Sequence, residues 1–134
     1  METEKILKIE ETTFATNENA NCYYDGYQII TDKQTIQIGI ESEKWCCEEF
    51  GHLITNDEIK DFIGAKLLGI SITDTVLNNK KIEEIEFLLN GGVMFVNLET
   101  SEGVLQFVAY NYHNGCYGHN AVLVSKQLNH KKML

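Results

Sequence analysis

Two runs of alternating apolar residues, Gly92 to Thr100 and Gly103 to Tyr110, stand end to end with only Thr100-Ser101-Glu102-Gly103 to turn the chain between them. Alternation at period two puts one set of side chains on each face of a strand, and a glycine suits the left-handed position of a short hairpin loop. A chain with such a hairpin must build a sheet and bury one face of it. The rest of the sequence repeats the pattern. Thr35 to Ile40 carries Ile36, Ile38 and Ile40 on one face, and Asp32-Lys33-Gln34 joins it as a hairpin to a strand that runs from Tyr23, Tyr24 and Tyr27 into Ile29, Ile30 and Thr31. Lys5 to Phe14, Ala65 to Thr73 and Ala121 to Ser125 read as further strands, with a polar turn at Thr16 to Asn21.

Helical signals are few. Asn56 is a good N-cap, Ile59, Phe62 and Ile63 fall at helical spacing, and Gly64 closes the segment as a helix of about two turns. Thr75 to Phe87 fits either a helix or an irregular crossover, and Asn129 to Leu134 reads as a loosely held tail. The expected fold is α+β and β-rich: a mostly antiparallel sheet of six to eight strands with one or two short helices, in one domain spanning residues 1–134.

Charge narrows the function. With 20 acidic against 11 basic residues the formal net charge is −9, which argues against DNA, RNA and anionic membranes as partners. Every basic residue is a lysine, so bidentate guanidinium recognition is absent and a phosphate must be met by lysine, histidine or backbone N–H groups. No apolar run approaches the roughly 20 residues that span a bilayer, and Met1 to Lys5 lacks the apolar core of a signal peptide, so a cytoplasmic protein is expected. Adjacent Cys46 and Cys47, with isolated Cys22 and Cys116, agree with free thiols in a reducing compartment.

The chemistry gathers at Tyr110-Asn111-Tyr112-His113-Asn114-Gly115-Cys116-Tyr117-Gly118-His119-Asn120, read as a loop between two strands at the rim of the sheet. Its rings can stack on a base, its amides can pair with a base edge, and Gly115 and Gly118 can expose N–H groups to a pyrophosphate. A plain hairpin turn is the simpler account, although turns rarely need so many rings. His113, Cys116 and His119 have the types of metal ligands, yet the paired modules of structural zinc are missing, and no metal or cofactor is expected. A cysteine nucleophile, Cys47 or Cys116 beside His119, lacks an activating turn. Tyr110, Asn111, Tyr112, His113 and His119 are therefore expected to bind a ligand without catalysis, or else to form an oligomer or partner interface in a structural protein.

The order Cys46-Cys47-Glu48, then Asp61-Phe62-Ile63-Gly64, then the threonine-glycine hairpin at 100–103, then Asn114-Gly115-x-Tyr117 resembles a set of small phage and bacterial proteins. That set includes the first-described class of phage anti-Thoeris sponges, and the likeness runs from about Trp45 to Val124. What it implies is a non-enzymatic sink for a cyclic ADP-ribose isomer made by a host TIR-domain protein, acting in the host cytoplasm. It also implies a β-rich dimer able to assemble into a hexamer, with cyclic oligonucleotides held at separate sites in some members. Asn114, Gly115 and Tyr117 carry over as ligand contacts. The family's pockets use arginine, which this chain lacks; Lys66 and Lys126 are the candidate substitutes. A sink does not turn over, and a nanomolar constant corresponds to about −12 kcal/mol, so an enclosing pocket completed near a subunit interface is expected.

Overall fold

A computed structural model describes residues 3–16, 19–42, 48–54, 56, 58–73, 92–113 and 120–134. Among these residues nine strands form one antiparallel sheet: β1 (Glu4–Thr16), β2 (Asn19–Thr31), β3 (Thr35–Glu41), β4 (Glu48–Ile54), β5 (Lys66–Thr73), β6 (Gly92–Thr100), β7 (Gly103–His113), β8 (Asn120–Val124) and β9 (His130–Met133). Their order across the sheet is β4-β7-β6-β5-β1-β2-β3-β8-β9. The strand count exceeds the six to eight read from the sequence. Two strands lie beyond the seven named above: β4, and β9, which pairs with β8 where a loose tail was expected; Leu134 beyond it is buried.

The sheet turns a corner at β1. This strand pairs with β5 only through Glu4 and Lys5, and with β2 from Ile6 to Thr16. Two ladders slip by one residue beside the corner, β1–β2 between Ile6 and Lys8 and β5–β6 between Leu67 and Gly69. The extra residues are Leu7 and Leu68, and both point outward, 50% and 68% exposed. A bulge bends its strand and raises the local twist, which is what a sheet needs to fold back on itself. The result brings β2 and β3 against β4 and β7.

Between the two halves lies one core. Ile29, Ile36, Ile38 and Ile40 come from one side and Met94, Val96, Leu98, Leu105, Phe107 and Ala109 from the other, as the alternation requires. Each buried isoleucine or leucine contributes about 1.5–3 kcal/mol against exposure. The helix expected at 56–64 is a single 3-10 turn, Ile59–Phe62. Asn56 does not cap it, because its side chain is engaged elsewhere: Nδ2 donates to the Val104 carbonyl at 2.8 Å and Oδ1 accepts from the Gln106 N–H at 2.9 Å. The side-chain amide thus continues the β4–β7 ladder beyond Ile54 and Phe107. Gly64 does have the expected positive φ of 89°, and its N–H reaches the Ile6 carbonyl at the corner. Thr75 to Phe87 lies outside the described residues.

Candidate ligand-binding site

Within each half of the sheet antiparallel order sends neighbouring strand ends to opposite rims. The bend at β1, where Glu4 and Lys5 alone pair with β5, sets the halves alongside each other, with Asn111 of β7 bonded to Leu134 after β9 and Lys132 of β9 to Val93 of β6. One rim collects the ends of β1, β3, β5, β7 and β9 and the starts of β2, β4, β6 and β8. From it leave the connections between β3 and β4, β5 and β6, and β7 and β8. The opposite rim holds the turns at 32–34 and 101–102 and the segments 56–65 and 125–129.

The rim stretch singled out in the sequence divides accordingly. Tyr110, Asn111, Tyr112 and His113 are not loop but the last residues of β7, paired with Gly51, Phe50, Glu49 and Glu48 of β4. Their polar character reads locally as loop; their alternation continues the strand. Successive strand residues face opposite ways, so Tyr110 and Asn111 serve different surroundings. Tyr110 lies over Gly51, where a Cβ would stand 2.7 Å from the phenol oxygen. Asn111 is fully buried and donates from Nδ2 to the Leu134 carbonyl at 3.1 Å. Asn114, Gly115, Tyr117, Gly118 and His119 lie outside the described residues, as do Trp45, Cys46, Cys47 and Cys116.

The far side of the rim is pinned by Glu41. Its carboxylate accepts from the Asn120 N–H and from the Cys22 thiol, so the start of β8 and the edge of β2 share one anchor. Burial, and then this carboxylate, push the Cys22 thiol above its ordinary range, away from nucleophilic use. Among the described residues, no cluster of three or more histidine, cysteine or carboxylate side chains could hold a metal ion.

Lys66 and Lys126 belong to the opposite rim, beside Ser101 and Gln34 respectively. At about 3.3 Å per residue the length of β7 separates Lys66 from the end of His113. Among the described residues the lysines near the rim in question are Lys131 and Lys132, paired with Val122 and Ala121 two and one residues from Asn120. Lys132 donates to the Val93 carbonyl at 3.2 Å, next to the start of β6. Sequence reasoning missed them because it read 129–134 as tail.

A second feature lies below the rim, between β1, β2 and the sheet-edge strand β4. A cleft of about 480 Å³ is lined by Ile9, Glu11, Tyr27, His52, Leu53, Ile54, Asn56 and Ile59. The His52 ring meets Tyr27 edge-on at 4.8 Å between centroids, and Tyr27 also leans on Phe107 at 5.3 Å. Burial holds the imidazole below its ordinary pKa, with Glu11 and then Asp25 opposing. Burial, with Glu11 and Tyr110 adding, holds the Tyr27 phenol protonated well above the usual tyrosine range.

The fold is that of a small β-rich protein whose described residues form one nine-stranded antiparallel sheet bent on itself. No described helix is long and apolar enough to cross a membrane. The chain belongs to the DUF7448 family, a domain of unknown function, whose model matches residues 3–123 and so reaches from β1 into β8. Comparison with curated proteins and with solved structures finds no match.

Proposed function

We propose that the protein is a non-catalytic sink that binds a cyclic nucleotide immune signal, a cyclic ADP-ribose isomer, and so blocks Thoeris-type immunity in the host cytoplasm. The observation that carries this is the β4–β7 register. It pairs Glu48 with His113, so the Cys46-Cys47-Glu48 run and the Asn114-Gly115-x-Tyr117 run, far apart in sequence, attach to adjoining strand ends. Those are the two specific elements of the resemblance to anti-Thoeris sponges. Lys131 and Lys132 add cationic charge near the same rim of an arginine-free chain, where a pyrophosphate would need it. Capture to nanomolar tightness asks for an enclosing pocket, which a homodimer or homohexamer supplies by closing one rim with another subunit.

The test is recovery. Protein incubated with the product of an activated TIR enzyme and then heated should return that molecule intact. A cleaved product would make the protein a signal-degrading enzyme, and an unbound signal would end the proposal. Tyr117→Ala should abolish capture while leaving the far-ultraviolet circular dichroism unchanged. Native mass spectrometry of the untreated protein would show a retained small anion for a sink, and a bare oligomer for a structural or interaction protein.

A further inference from the structure

The cleft between β1, β2 and β4 has a composition that a phosphate ligand does not explain. Among the described residues its walls are apolar, with Ile9, Leu53, Ile54 and Ile59, its charged group is the Glu11 carboxylate, and no lysine lines it. Among the described residues the only basic side chain within 4 Å of Glu11 is His52, whose Nδ1 stands 3.9 Å from a carboxylate oxygen, beyond hydrogen-bond reach. That Nδ1 is shielded from water and has no hydrogen-bond partner among the described residues. A buried nitrogen left unsatisfied is costly, and an unprotonated Nδ1 facing the Glu11 carboxylate lacks a donor that a guest between the two would supply. The Tyr27 ring forms part of the lining beside it, a surface that attracts cations.

We propose that this cleft is a binding site for a small organic cation, a primary ammonium or amidinium carried on an apolar body. The cationic head sits at Glu11 against the Tyr27 ring, with one N–H directed to His52 Nδ1 once the Glu11 side chain, 70% exposed, swings to admit it. The body lies along Ile9, Leu53, Ile54 and Ile59. An anion is excluded by Glu11, and a neutral guest gains only the apolar walls. The site is independent of the rim and of any signal bound there.

Protonation of His52 opposes this ligand. The groups that face the imidazole are Glu11 from β1 and Asp25 and Tyr27 from β2. The imidazole is neutral at neutral pH, and as the pH falls through its lowered pKa it becomes a cation where the ligand's own charge must sit. Affinity is therefore full near neutrality and is lost on acidification.

Three isosteric probes test the proposal by calorimetry and by amide chemical shifts: 2-phenylethylammonium, 2-phenylethanol and phenylacetate. The cation should bind saturably and about tenfold or more tighter than the alcohol, with phenylacetate weaker still, the scale of one charged hydrogen bond. Glu11→Gln, at an exposed side chain, should bring the cation down to the level of the alcohol. Acidification from neutral pH through the His52 titration, followed by the imidazole proton shifts, should weaken the cation and leave the alcohol unchanged, and His52→Gln should remove that pH dependence. Equal binding of all three probes, no saturable binding at millimolar concentration, or an unaltered cation preference in Glu11→Gln would each overturn it. Signal capture by Glu11→Gln should equal that of the unaltered protein.

Discussion

At the scale of single residues, the side chains that matter most are the ones whose polar groups stand in for backbone. Asn56 presents both halves of its amide to β7, donating to Val104 and accepting from Gln106, and so adds a rung to a ladder that the main chain has already left. Asn56→Ala removes both bonds and should lower stability by about 1–3 kcal/mol in urea denaturation. Asn56→Asp keeps the acceptor for Gln106 but sets a carboxylate oxygen against the Val104 carbonyl, so it should recover none of that loss. An alanine variant as stable as the parent would show that the rung carries no weight. The same substitution of side chain for backbone explains why Asn56 looks like a helix cap from sequence. An asparagine before an acidic turn is a good cap by local rules, and its true partners lie 48 and 50 residues away.

At the scale of elements, alternation was legible and long-range pairing was not. Gly92–Thr100 is a strand with the bounds that its pattern predicts, and Gly103, at φ 115°, turns the hairpin as expected. The strand runs past Tyr110, where its alternation was expected to stop, because asparagine, tyrosine and histidine at 111–113 look like loop. What makes Asn111 a buried strand residue is the Leu134 carbonyl, and no local pattern announces a partner at the other end of the chain. The pairing of β2 with β3 holds another such constraint. Gly26 stands directly opposite Gly39, and a Cβ added at Gly26 would run into the Ile38 carbonyl oxygen. At Gly39 the added atom would meet the Asp25 carbonyl oxygen at 2.7 Å and the Phe14 ring at 3.0 Å. Backbone on both sides leaves no flexible group to give way, so Gly26→Ala should cost about 1–3 kcal/mol or more, as overpacking does. At Gly69 the nearest obstacle is the free end of Glu99, a carboxylate oxygen at 3.1 Å. Gly69→Ala should therefore stay within about 0.5 kcal/mol of the parent. Equal losses in the two variants, measured by urea melts, would mean that the close approach of β2 and β3 is not a constraint.

At the scale of the whole molecule, a charge of −9 acts on every charged ligand before any contact forms. A doubly negative cyclic nucleotide approaching the rim meets repulsion from the body, while Lys131 and Lys132 attract it only at short range. A small ammonium ion approaching the Glu11 cleft is drawn in by the same field. Salt separates the two cases, because the Debye length falls from about 30 Å at 0.01 M to about 8 Å at 0.15 M. Over that range stopped-flow measurement should show the association rate of the anionic signal rising and that of 2-phenylethylammonium falling. If the signal's rate falls with salt, the lysines of β9 and their neighbours outweigh the acidic body, and the rim is a locally basic funnel inside an acidic protein. If the cation's rate does not change, Glu11 is not the group that recruits it. The sign of each slope thus reports which charges a ligand feels on arrival, and it does so separately for each proposed site when the two ligands are measured alone.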